Sequence, residues 1–250
     1  MAISLLSFIF VFSIIVLVHE FGHFFAARLS GVKVYEFSIG FPFSPRLLTI
    51  FRHRETSFTI RLLPLGGFVR FSEEDDKDAK DLFGAPLLKR AFIMSAGSLC
   101  NILFAFLLFI PIFMIGKEIQ FFDAACLSLK ILRDIFLGTI TFFAGLFSGR
   151  GGMELLSGPV GIAAMAGQAA SGGLLNIFYF TGMLSVSLGI MNLIPFPALD
   201  GGQLIMLAYE AIIKRPLHIK THQAMNLIGF ALFLILTVIV TYKDIIRLLA

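Results

Sequence analysis

The chain has 250 residues, of which 58% are hydrophobic and only 14% charged, with 30 phenylalanines and no tryptophan. That composition excludes an ordinary soluble domain and leaves an integral membrane protein. The formal net charge of +4 does not point to nucleic acid, because the basic residues are spread through loops, with no basic helix and no aromatic-interleaved patch that would track phosphates.

Residues 3–25 form the first apolar run of spanning length, for which about 20 residues are needed. The run lacks a basic leading region and a small-residue cleavage site, so it is expected to be a retained span and not a signal peptide. Next come three β-rich segments, VYEFSIG (34–40), RLLTIFR (46–52) and SFTIRLL (57–63), separated by Phe-Pro-Phe-Ser-Pro and by the turn HRET, a pattern that predicts consecutive hairpins. LPLGGFVRF (63–71) adds a Pro-Leu-Gly-Gly turn and one more strand. This β-loop, residues 33–71, is apolar enough to lie against or partly within a leaflet. SEEDDKDAKD (72–81) reads as a solvated connection without chemistry.

Further spans are predicted at residues 91–116, 174–199 and 224–242. Between the second and third, residues 135–148 are apolar but follow Lys130, Arg133 and Asp134, and 14 residues suit an interfacial or re-entrant helix better than a crossing. The expected fold is therefore an α-helical polytopic membrane protein: four transmembrane helices, a membrane-associated β-hairpin or sheet insertion after the first, and an interfacial region at 123–172, all in one domain. Cys100 and Cys126 have neither metal-ligand spacing nor the count of a disulfide framework, and read as packing residues.

Of the 20 Lys and Arg residues, 11 lie from Arg28 to Arg90 and 3 from Lys214 to Lys220. The positive-inside rule puts those loops in the cytosol and both termini outside.

The first span carries VLVHEFGHFF (16–25). His19 and His23 stand one helical turn apart on one face, so two imidazoles can hold one metal ion, with Glu20 beside them as general base for water. A buried polar cluster that only bonds neighbouring helices is the competing reading, but membrane helices carry ionisable groups mainly for function. A catalytic zinc ion needs a third protein ligand. Asp200 in MNLIPFPALDGG (191–202) is the preferred candidate, where Pro195 and Pro197 interrupt the helix; Glu210 is the alternative. With four spans the first and third run the same way, which brings Asp200 to the depth of His19. His218 and His222 share the same spacing without a paired glutamate and read as a solvated turn, and His53 in the HRET turn has no partner.

Together these residues resemble the site-2 protease family of intramembrane zinc metalloproteases, closest to its bacterial regulator of sigma-E protease branch. The resemblance covers HEFGHFFAAR (19–28), RLLPLGGFV (61–69), KRAFIMSAGSLCN (89–101), LSGPVGIA (156–163) and NLIPFPALDGG (192–202). It implies one zinc ion per chain held by His19, His23 and Asp200, water activated by Glu20, and substrate backbone held by Asn192, with Gly66 and Gly67 of the β-loop on the substrate-binding side. It also implies a multi-pass protein of the bacterial inner membrane that cuts transmembrane segments of single-span membrane proteins near the cytosolic face. Two features depart from the family pattern. Ser98 replaces the proline of Ala-Gly-Pro-x-x-Asn, which permits a straighter helix and does not threaten the metal site. Residues 117–155 are too few for the PDZ domain that relatives insert there. A catalytically silent, helix-binding scaffold is the alternative function, against which the intact Glu20 argues.

Overall fold

The computed structural model describes residues 2–40, 44–63, 66–71, 82–148 and 156–249. Its order is α1 (Ala2–Ser30), β1 (Glu36–Ile39), β2 (Arg46–His53), β3 (Thr56–Arg61), β4 (Gly67–Arg70), a 3-10 turn (Leu82–Gly84), α2 (Leu87–Lys117), α3 (Phe121–Phe147), α4 (Pro159–Ser171), α5 (Leu174–Asn192), α6 (Asp200–Ile213) and α7 (Ile219–Leu249). The acidic run 72–81 lies outside the described residues, as do 41–43 and 64–65 in two of the predicted turns.

Among the described residues four helices are long and apolar enough to cross a membrane: Ile3–Ser30, Leu87–Lys117, Leu174–Asn192 and Lys220–Arg247. The chain is an integral, multi-pass membrane protein. Large apolar side chains stand exposed along these helices, as at Ile3 and Leu6 of α1, Leu103 and Leu107 of α2, and Leu234 and Ile235 of α7, and mark the surface offered to lipid.

The helices pack around α2. Gly97 of α2 lies against the His19 and His23 rings of α1, and Gly22 of α1 lies against the Ala96 backbone. Along α5, Gly189 meets the Ser98 carbonyl, Ser185 Oγ donates to the Asn101 carbonyl at 2.9 Å, Gly182 meets Phe109 and Leu175 meets Gly116. Both helices are thus antiparallel to α2 and parallel to each other, as the expected topology requires. Ala105, Phe109, Ile112 and Phe113 of α2 form a core with Ala124 of α3 and Val186 and Ile190 of α5. A second cluster joins Ala26 and Ala27 of α1 to Ile93 and Ala96 of α2.

Three expectations need correction here. The apolar stretch 135–148 is the second half of a 27-residue helix, α3. Ala124, Leu127, Ile131 and Ile135 repeat at helical spacing and pack into the first core, so the charged residues that suggested a boundary occupy the opposite face of one continuous helix. Cys126 on this helix is exposed, not packed. The β-loop is not a run of hairpins: among the described residues its strand order is β2-β3-β1-β4, in which only β2 and β3 form a sequential hairpin, while β1 pairs parallel to β3 and antiparallel to β4.

One carboxylate ties this sheet together. Glu36 on β1, 3% exposed, accepts from Thr59 at 2.7 Å and from Arg61 at 3.1 Å on β3, and pairs with Arg46 of β2 and Arg70 of β4. Burial works to raise its pKa, but the bonds from Thr59 and Arg61 outweigh it and hold the group below its ordinary value.

Asp244, near the end of α7, accepts the Gly161 N–H at 2.8 Å in the first turn of α4. This carboxylate caps the α4 N-terminus from another helix, where the backbone donors have no partner of their own. Asp244→Ala is expected to lower stability in mild detergent by about 1–3 kcal/mol, with Asp244→Asn losing less. An unfolding midpoint for the alanine variant equal to wild type would contradict the cap.

Candidate active site

The third span ends earlier than its apolar run. α5 stops at Asn192, and residues 193–199 are irregular before α6 begins at Asp200, so Asp200 opens a new helix and does not close the span. Pro195 and Pro197 explain the break, since neither can donate to a helix ladder. Ala198 has φ 74, a left-handed conformation unusual for a residue with a side chain, two positions before Asp200. Gly201 and Gly202 are required by closeness: a Cβ on Gly201 would run into the carbonyls of Leu193 and Ile194, and one on Gly202 into that of Phe196.

This turn carries Asp200 Oδ2 to 3.2 Å from His19 Nε2 and 3.5 Å from His23 Nε2, while the two Nε2 atoms are 3.2 Å apart. The His23 Nδ1 donates to the Ile93 carbonyl at 2.8 Å, so in the neutral ring Nε2 carries a lone pair. Two imidazole nitrogens and a carboxylate oxygen therefore converge, an arrangement that can hold one metal cation. Their spacing suits zinc: bonds of about 2.0–2.2 Å in tetrahedral geometry set neighbouring ligand atoms about 3.3–3.6 Å apart. The bond from His23 to Ile93 is the kind of outer contact that fixes a ligand's tautomer. Gly97 leaves the room; a Cβ there would sit 2.8 Å from His19 Cε1.

Glu20 and the triad line a cavity of about 480 Å³, together with Phe68 and Val69 of β4, Asn192, and Gln203 and Asn226. Asn192 Nδ2 lies 3.5 Å from His19 Nε2. Gly67 packs on Glu20, with its Cβ position 2.9 Å from Glu20 Cγ, and Gly66, at φ 113, accepts the Gly40 N–H at 2.9 Å.

The alternative ligand is elsewhere. Glu210 accepts from Arg90 Nη1 at 2.6 Å and lies 3.0 Å from His222 Nε2. Burial works to raise its carboxyl, but the bonds from His222 and Arg90 hold it below the ordinary carboxylate range. The expectation that His222 sits in a solvated turn fails: it is 2% exposed, because Glu210 gives it a buried partner that no local spacing reveals. His218 is exposed as expected.

Sequence reasoning also missed Ser98. Its side chain is fully buried and its Oγ donates to Asp200 Oδ2 at 3.3 Å, the same oxygen that faces both imidazoles. The available signal was a hydroxyl in an apolar span directly after Gly97.

The sequence profile of peptidase family M50 matches residues 7–236, and the chain belongs to that family. Over 94% of its length it is 28% identical to a Clostridium perfringens protein named for zinc metalloprotease activity, covering 96% of that protein. It is 24% identical to the zinc metalloprotease RasP of Shouchella clausii, over 98% of this chain and 99% of that one. To the regulator of sigma-W protease RasP of Bacillus subtilis it is 42% identical over 115 residues, 46% of this chain and 27% of that one. The chain is a site-2-type zinc metalloendopeptidase, and its cofactor is zinc.

Ser98→Ala should leave the helix intact and weaken zinc binding about tenfold, the lower end of the range for an outer contact to a ligand. Competition with a metal indicator measures this directly; unchanged affinity would reduce Ser98 to packing.

Proposed function

We propose that the chain is one membrane-embedded protease domain in which His19, His23 and Asp200 hold a single zinc ion, Glu20 is the general base, and Asn192 and the β4 edge at Gly66 and Gly67 hold the substrate backbone. The observation that carries this reading is the convergence of His19 Nε2, His23 Nε2 and Asp200 Oδ2 beside Glu20, in a cavity that β4 also borders. When bound, zinc supplies a Lewis acid that polarises the scissile carbonyl and makes water acidic enough to attack. Glu20 takes the proton from the attacking water and passes it to the leaving amine. The Asn192 amide bonds a freed backbone group of the unwound substrate.

A transmembrane helix hides its amides in its own hydrogen bonds, so substrate must be extended before it can be cut. β4 offers a template because, among the described residues, it has β1 on one side and no strand on the other. The Gly40 N–H to Gly66 carbonyl bond and the pairing of Ile39 with Gly67 fix the parity of this edge. Phe68 and Arg70 turn their backbone groups to β1; Gly67 and Val69 turn theirs to the open side. An extended segment added there would run past Glu20.

We further propose that the substrates are single-span proteins of the bacterial inner membrane, anti-sigma factors among them, and that the site lies near the cytosolic face. The regulator name carried by the Bacillus subtilis relative supports the first point. The basic loops before α2 and before α7 support the second, with His19 about 25 Å along α1 from its start.

Glu20→Gln should retain one zinc per chain and lose peptidase activity by orders of magnitude, whereas Asp200→Ala should lose the metal as well. Elemental analysis paired with a cleavage assay on purified protein separates the two, and stoichiometric zinc in the Asp200 variant would remove it from the ligand set.

Val69→Pro removes an outward donor without touching the β1 ladder. It is expected to slow cleavage about tenfold or more while the protein stays folded. Wild-type turnover in a folded Val69→Pro protein would rule out strand addition at β4.

A further inference from the structure

An extended substrate on β4 has two edges, and β4 satisfies only one. The N–H and C=O groups of alternate residues point away from β4, and where binding takes them out of water they need partners on the cavity wall. The cavity lining supplies few groups that could. His19, His23 and Asp200 face one another, Arg90 is held by Glu210, and Asn192, beside His19, is already assigned to one freed backbone group of the substrate. Among the described residues, what remains of the polar side chains lining the cavity, besides Glu20, is Gln203 and Asn226.

We infer that the paired side-chain amides of Gln203 and Asn226 bind the second edge of the extended substrate. This inference rests on the β4 reading. Gln203 Nε2 donates to Asn226 Oδ1 at 2.8 Å. That bond leaves the Gln203 carbonyl oxygen as an acceptor and the Asn226 amide nitrogen as a donor, and among the described residues neither side chain makes another hydrogen bond. With both amides turned the other way, one acceptor and one donor still remain. An acceptor beside a donor is what a strand edge presents to its neighbour.

Placement agrees with this role. Gln203 is three residues after Asp200, one turn along α6 and on the same side of it. Asn226 is four residues after His222, whose bond to Glu210 fixes α7 at that level, and Gly229, three residues further, lies directly against the Pro197 backbone. A hydrogen bond that only tied α6 to α7 would not need to line the cavity, whereas both amides border it with an acceptor and a donor to spare.

The test is a backbone ester scan. Substrate segments carrying a single ester in place of one amide, at successive positions, are cleaved by the full-length zinc protein in detergent and by Gln203→Leu, Asn226→Leu and the exchanged Gln203→Asn/Asn226→Gln variants. Wild type is expected to show penalties in kcat/KM at two alternating sets of positions, one from each strand edge. Both leucine variants should lose about tenfold on the all-amide substrate and lose one set of ester penalties entirely, with zinc content unchanged, while the exchanged variant recovers both. If the leucine variants slow cleavage but every ester penalty persists, the amide pair is an interhelical tie and the inference is overturned. Unchanged activity in both leucine variants overturns it as well. Ester penalties absent at all positions in wild type, together with an indifferent Val69→Pro, would instead bring down strand addition itself. Because the coupling is a ratio within each variant, it is readable even if replacing Asn226 loosens α7.

Discussion

The structure depends first on how closely α1 and α2 approach. Gly22 and Gly97 face the opposing helix where any Cβ would collide, so the His23 ring can lie on α2 and donate to the Ile93 carbonyl. That carbonyl belongs to the helix ladder of α2 yet takes a second donor, because a carbonyl has two lone pairs. The contact fixes which nitrogen of His23 faces inward. Lipid gives no hydrophobic drive for two apolar helices to meet, so small residues and a polar bond have to supply it, and here they also build the site.

The second constraint is the break between α5 and α6. Residues 193–199, without helix directly after a span, have backbone groups that lipid could not satisfy, which is tolerated only when protein covers them or a wet cavity borders them. Both conditions hold. Gly201, Gly202 and Gly229 pack against carbonyls of Leu193, Phe196 and Pro197, while Ala198, Leu199 and Asp200 border the cavity. The left-handed Ala198 is the strained point of this path, and it lies where the chain turns to aim Asp200 at two helices it does not follow in sequence.

Much of this was legible in the sequence because membrane proteins write their spans in length and their chemistry in exceptions. Four apolar runs gave four spans; two histidines and a glutamate inside one of them gave the metal hypothesis; two prolines marked the break. The parts that were not legible depend on partners far apart in the chain. His222 looked solvated because its neighbours are lysines and an arginine, and only the fold brings Glu210 and Arg90 to it. The parallel pairing of β1 with β3 skips the strand between them, so no turn signal announces it. α3 was cut short because charges at Lys130, Arg133 and Asp134 resemble a boundary when read along the chain and a face when read around a helix. Ser98 was read as a change in backbone freedom, whereas its hydroxyl reaches a residue 102 positions away.

The same separation of local and distant partners explains how α7 can be largely exposed and still be placed. Near its start, His222 joins Glu210 and Asn226 joins Gln203, both on α6; near its end, Asp244 caps α4. Between these ends its side chains face outward, as at Phe233, Ile235 and Val238. Polar bonds in an apolar surrounding are directional where apolar contact is not, so three of them set the depth and rotation of a 31-residue helix with little packing along its middle. The cost is that each such bond must be satisfied in the folded protein. Of the three, the Gln203–Asn226 bond is the one whose groups also open onto the cavity, which places the helix and lines the substrate path with the same pair of side chains.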